Sequence, residues 1–165
     1  MSDFPVLSDL VYRPAQREAF VAGPLRERWA GRCPELFDDR DLALARSRPQ
    51  KHFYEWLAAV ALYESTGWLS LVEKYQFPRH ERKRNVLRRL GASVLLDFFD
   101  AQREVFGALQ APDLFLYDPD ETDYALCEVK GPTDSLRPEQ QACFLALHEA
   151  ADRPIHLVTV RPAPF

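Results

Sequence analysis

The chain has 165 residues, of which 47% are apolar and 28% charged, and its net charge is −4. That balance suits one globular domain with an extension and excludes a disordered chain. It also excludes a membrane-embedded one, because no apolar run approaches the roughly 20 residues needed to span a bilayer. Cys33, Cys127 and Cys143 are odd in number and far apart, which points away from disulfides and zinc and toward a reduced, cytoplasmic protein. The opening stretch MSDFPVLSDL has no basic region ahead of an apolar core, so no secretory signal is expected.

Residues 1–13 read as an irregular arm. From Pro14 to about Ala30, the spacing of Phe20, Val21, Leu25 and Trp29 predicts an amphipathic helix. A second short helix is expected from Pro34 to Arg46, with proline in its first position. Residues 51–66 (KHFYEWLAAVALYEST) are apolar nearly all round, which predicts a buried helix ended by Gly67. Residues 68–76 and 79–90 read as two further helices around Pro78, closed by Gly91. Residues 92–109 suit another helix or, in part, a first strand.

The pattern changes at Pro112. DLFLYD and YALCEVK are rich in strand formers and flank the turn PDETD, which predicts a β-hairpin ended by Gly131-Pro132. A helix from Ser135 to Ala150 and a strand over 155–160 follow. The order strand, strand, helix, strand predicts a small mixed sheet with a crossover helix. A soft boundary falls near residue 48.

Alternation along a strand puts Glu128 and Lys130 on one face, and the hairpin brings Asp113 beside Glu128. Charges at the end of an otherwise apolar strand are costly unless paired or bound to a metal ion. Two close carboxylates favour a cation between them, and Mg2+ prefers carboxylate oxygens, phosphate and water. The Val129 carbonyl could add a ligand, and Lys130 could hold a water nucleophile or stabilise charge on a phosphate. The same spacing also suits a solvated pair on an edge strand with Asp113 in a turn.

The strings APDLFLY, YALCEVKGPTDSLRPEQQACFLALHEA and IHLVTV go further. They resemble the VRR-NUC family, a branch of the PD-(D/E)XK nucleases that includes the nuclease domain of the Fanconi-associated nuclease. The family's signature is a PDL strand, an EVKGPxDxLxxxQ block, an apolar helix and a final strand. Ala111 stands where the family usually has glycine, and the resemblance covers about residues 110–160.

The resemblance implies an α/β, restriction-endonuclease-like core, and the soft boundary near residue 48 divides the chain into an expected N-terminal helical extension (1–48) and nuclease domain (49–165). It implies metal-binding carboxylates at Asp113 and Glu128, a catalytic lysine at Lys130, and one or two Mg2+ or Mn2+ ions. Gln140 matches a glutamine that orients substrate or water, and it also suits a helix surface. An upstream helical glutamate should complete the metal shell. Glu55 is favoured by its small, apolar face, Glu64 is the alternative, and Glu73 is a third candidate.

Negative net charge argues against nucleic acid as a partner, but the charge is segregated. Segment 79–89 carries Arg79, Arg82, Lys83, Arg84, Arg88 and Arg89, and it suits either phosphate contacts or a solvated face. Arg137 lies next to the motif in sequence. The expected function is metal-dependent cleavage of DNA, structure-selective or general, with RNA as an alternative substrate. Related small nucleases act on branched DNA as dimers, which makes a homodimer an expectation. The rival is a module that keeps the nuclease fold and binds nucleic acid or a partner without cutting.

Overall fold

The computed structural model describes residues 9–72, 75, 79–107 and 111–164. The chain opens with strand β1 (Asp9–Tyr12) and continues through helices α1 (Pro14–Ala22), α2 (Pro24–Arg32), α3 (Asp39–Ser47) and α4 (Pro49–Thr66). Strand β2 (Leu69–Leu71) precedes α5 (Glu81–Arg89) and α6 (Ser93–Phe106). The hairpin of β3 (Leu114–Tyr117) and β4 (Tyr124–Lys130), then α7 (Pro138–Ala151) and β5 (Ile155–Pro162), complete the chain. Among the described residues, no helix is long and apolar enough to cross a membrane.

The strands form one mixed sheet in the order β1-β5-β4-β3-β2. β4 pairs with β5 in parallel and with β3 antiparallel, so α7 is the crossover that a parallel pair requires. Alternation along β3 and β4 feeds two cores. Leu114, Leu116, Ala125, Cys127 and Val129 pack with α1–α4 on one face. Phe115, Tyr117, Tyr124 and Leu126 pack with α5, α6 and Leu147 of α7 on the other. Glu128 and Lys130 continue the second row, where α7 supplies Gln140.

Several sequence expectations are corrected. The arm is not irregular at Asp9–Tyr12. These residues pair in parallel with Thr159–Pro162, while residues 1–8 lie outside the described part. A strand of four residues whose partner lies at the other end of the chain leaves no local signal. The single helix expected from Pro14 is two, because Gly23 adopts φ +123° and Pro24 restarts the chain.

The next helix begins at Asp39, not Pro34. The Asp38 carboxylate accepts from the Asp41 amide at 2.8 Å, and Asp41 returns the bond to the Asp38 amide at 3.0 Å. This reciprocal cap fixes the start. Residues 69–71 form a strand, not a helix, since the edge of β3 needs a partner along Phe115–Tyr117. Residues 93–106 are wholly helical.

Candidate active site

Two strand ends and two helices converge at the open end of the hairpin. Asp113 stands just before β3, and its Oδ2 accepts a 2.8 Å hydrogen bond from the Val129 amide. That bond pins the aspartate to the backbone between Glu128 and Lys130. Glu128 is 3% exposed, and its Oε1 lies 3.4 Å from Lys130 Nζ. Its Oε2 is buried with no hydrogen-bond partner among the described residues. Lys130 Nζ also donates to Gln140 Oε1 at 3.1 Å, and the same oxygen accepts from the Arg137 amide at 3.2 Å. Gln140 is 7% exposed, so it is not a surface residue of the helix. It holds the lysine ammonium beside the carboxylates.

The Asp113 carboxyl group lies beside those of Glu128 and Glu55. Burial raises the Asp113 pKa above the ordinary carboxylate value. Burial, and then the Asp113 charge, push Glu128 up to about 9 against the opposing pull of Lys130. Desolvation therefore outweighs the ion pair at this site.

Glu55 comes from α4, whose apolar residues pack in the first core, and its carboxyl group lies near Asp113. Glu64, the alternative candidate, is on the surface and pairs with Arg32. Glu73 lies outside the described residues. Val129 turns its side chain into the first core and gives its amide to Asp113.

The donors suit a hard divalent cation. They are all oxygens, they carry excess negative charge, and one of them is buried without a partner. Among the described residues, no three acidic, histidine or cysteine side chains are already closed around a cation position. Burial favours the neutral form of these carboxyl groups, and a divalent ion bound there would hold them charged.

The basic helix is arranged differently from the sequence expectation. Lys83 is 1% exposed, and its ammonium is bound to the buried Asp41 carboxylate and the Val72 carbonyl. Arg84 makes a two-pronged pair with Asp100 at 2.7 and 3.2 Å and is also buried. Both are engaged inside the fold, in ion pairs with Asp41 and Asp100. Arg82 pairs with Asp38 at 2.9 Å and Arg89 with Glu121 at 2.9 Å, both on the surface. Arg79, Arg88 and Arg137 are exposed.

Sequence reasoning missed three residues around this site. The buried Tyr75 donates its hydroxyl to the Pro112 carbonyl at 2.8 Å, one position before Asp113. Asp134 accepts from the Gly131 amide at 3.1 Å and closes the turn after Lys130. Tyr54 packs against Gly131. The Gly-Pro-x-Asp spacing was the available signal for the turn, whereas Tyr54 and Tyr75 are positioned only by tertiary contacts.

A mixed sheet sandwiched by helices, with an acidic pair and a lysine at the end of its central hairpin, defines an α/β fold of the PD-(D/E)XK type. The VRR-NUC domain model matches residues 43–162, and the chain belongs to that family of nuclease domains. No curated protein matches it. Among solved structures the chain is similar to paFAN1 bound to 2nt 5′-flap DNA with a gap, at 22% identity and a TM-score of 0.41. The match covers 89% of this chain and 26% of that one, so this chain spans about a quarter of that protein's length.

Proposed function

We propose that this protein is a Mg2+- or Mn2+-dependent endonuclease that hydrolyses phosphodiester bonds in DNA. One observation carries the reading. The buried, unpartnered Glu128 Oε2 sits on a carboxyl group that lies beside Asp113 and 3.4 Å from the Lys130 ammonium. Such an arrangement is costly in a resting protein and suits a cation and a phosphate.

Asp113, Glu128 and Glu55 would supply carboxylate oxygens to the ion, and the Val129 carbonyl would be a further ligand. Once bound, the ion stabilises charge on the phosphate and makes a water more acidic. Lys130, held by Gln140, donates to the attacking water or to the phosphate oxygens as charge develops on them. Arg79, Arg82, Arg88, Arg89 and Arg137 contact backbone phosphates. The nuclease domain runs from residue 49, with residues 1–48 as its extension. A reducing compartment, the cytoplasm, suits the three free cysteines.

The test is cleavage of labelled single-stranded, duplex, flap and four-way-junction DNA, and of RNA, with Mg2+, with Mn2+ and with chelator. Metal-dependent cutting that disappears in Glu128→Gln is expected, and the preferred substrate reads out any structure selectivity. Binding without cutting on every substrate would favour the rival reading as a nucleic-acid-binding module. Light scattering on the same preparation reports whether two copies associate.

A further inference from the structure

Gly131 follows Lys130 directly, and its amide is held by Asp134. A methyl group placed on its Cα would stand 2.8 Å from Cε2 and 3.0 Å from Cδ2 of the Tyr54 ring, closer than real Cβ contacts come. Its φ is not in the left-handed region, so the backbone does not demand glycine here. The demand comes first from Tyr54, and then from the Asp134 Oδ2, which would stand 3.1 Å from the methyl.

Tyr54 is the residue before Glu55 on α4. Its ring is held from behind by the segment ahead of residue 48. Tyr12 of β1 meets it edge-on at 5.7 Å and joins it by a side-chain hydrogen bond. The Arg17 guanidinium of α1 lies 5.9 Å from the centre of its ring. Phe53 packs beside it at 5.4 Å. The ring is therefore wedged between the β1–α1 unit and the turn that ends the Glu128–Lys130 strand.

We infer that Tyr54 is a positioning residue. Its ring, seated on Gly131, sets how far α4 advances toward the sheet and so fixes where the Glu55 carboxylate meets Asp113. The N-terminal unit then acts as a buttress for the metal site, holding the ring from the other side. This inference rests on the nuclease reading, because it concerns the distance between Glu55 and the other carboxylates.

The test compares wild type with Gly131→Ala, Tyr54→Ala and the double variant. Mn2+ affinity is measured by calorimetry without DNA, single-turnover cleavage is measured in parallel, and folding is checked by circular dichroism. The added methyl pushes the ring away, so Gly131→Ala should fold, bind Mn2+ more weakly and cleave roughly ten- to a hundredfold more slowly, as small misplacements of catalytic groups do. Tyr54→Ala should show the same two losses. The double variant should be little worse than Tyr54→Ala alone, because the closest contact of the methyl is then gone and only the 3.1 Å approach to Asp134 Oδ2 remains.

Wild-type Mn2+ affinity in Gly131→Ala, or fully additive losses in the double variant, would overturn the inference. A wild type that neither binds Mn2+ nor cleaves overturns the nuclease reading instead. The contact is then judged by hydrogen exchange in Gly131→Ala, where unchanged protection of the α4 amides around residues 53–56 would refute it. If Gly131→Ala does not fold, Gly131→Ser in a Tyr54→Ala background must fold and must match Tyr54→Ala in Mn2+ affinity, or the inference fails.

Discussion

Lys130 has two partners. The Glu128 carboxyl oxygen lies 3.4 Å away, and Gln140 offers a neutral acceptor that fixes where the ammonium stands. Lys130→Ala should bind DNA and Mn2+ nearly as well as wild type and cut on the order of a hundredfold more slowly, as expected when a group that stabilises transition-state charge is lost. Single-turnover cleavage with binding measured alongside decides this, and a wild-type rate would remove lysine from the chemistry. Lys130→Arg should not restore the rate, since a planar guanidinium cannot occupy the same position between Glu128 and Gln140.

Glu128 makes the metal-free protein sensitive to pH. Its pKa in the folded state is raised from 4.5 to about 9, so the native state binds the proton more tightly than the unfolded chain does. The associated stability is complete below the unfolded value and is lost as pH rises through that window. With chelator present, thermal stability should therefore fall between about pH 5 and 9, and Glu128→Gln should flatten the decline. Mn2+ should stabilise the protein increasingly over the same range, because the ion displaces protons. A pH-independent melting temperature in wild type would mean that the carboxyl group is better solvated than its burial indicates.

At the scale of the element, α5 divides its basic residues between two tasks. One set builds the fold. Lys83 holds Asp41 of α3, and burial raises Asp41 to about 6 even with the ammonium beside it. Lys83→Met leaves that buried carboxylate without a counter-charge and should cost about 3–5 kcal/mol, read as a lowered urea midpoint. Replacing Lys83 and Asp41 together with apolar residues should cost much less.

The other set is exchangeable. The pairs of Arg82 with Asp38 and of Arg89 with Glu121 are half exposed, and such pairs contribute little to stability. These arginines can turn to phosphates. Removing Arg82, Arg88 and Arg89 should leave stability nearly unchanged and lower the salt dependence of DNA binding by about 0.9 per lost contact. An unchanged slope would return this face to solvent.

The same division explains what the sequence made visible. The β3–β4 hairpin, α7 and the site carboxylates were legible because their signals are local: a two-residue alternation, a turn, and a long motif. The ion pairs of α5 were not, because a run of basic residues looks the same whether its partners are water or Asp41 and Asp100. Glu55 could be placed on a buried helix from its neighbours, yet nothing in that stretch specifies that its carboxyl group comes beside Asp113. β2 was read as helix because three residues carry no strand period of their own. Pairing with β3 decides their conformation.

For the whole molecule, β5 lies between β1 and β4, and Thr159 bonds Asp9 across 150 positions of chain. The Ala163 amide closes on the Tyr12 carbonyl at 2.7 Å. In folding terms this is a long loop to close, and long-range pairing of this kind slows folding. At ribosomal speeds of about 5–20 residues per second, β1 waits roughly seven to thirty seconds before β5 exists. Until then β1 and β4 each present an unpaired edge, which is a template for wrong partners. A nascent chain halted before residue 155 should therefore associate with chaperones or with its own copies, and the site carboxylates should acquire their raised proton affinity only after the last strand has joined the sheet.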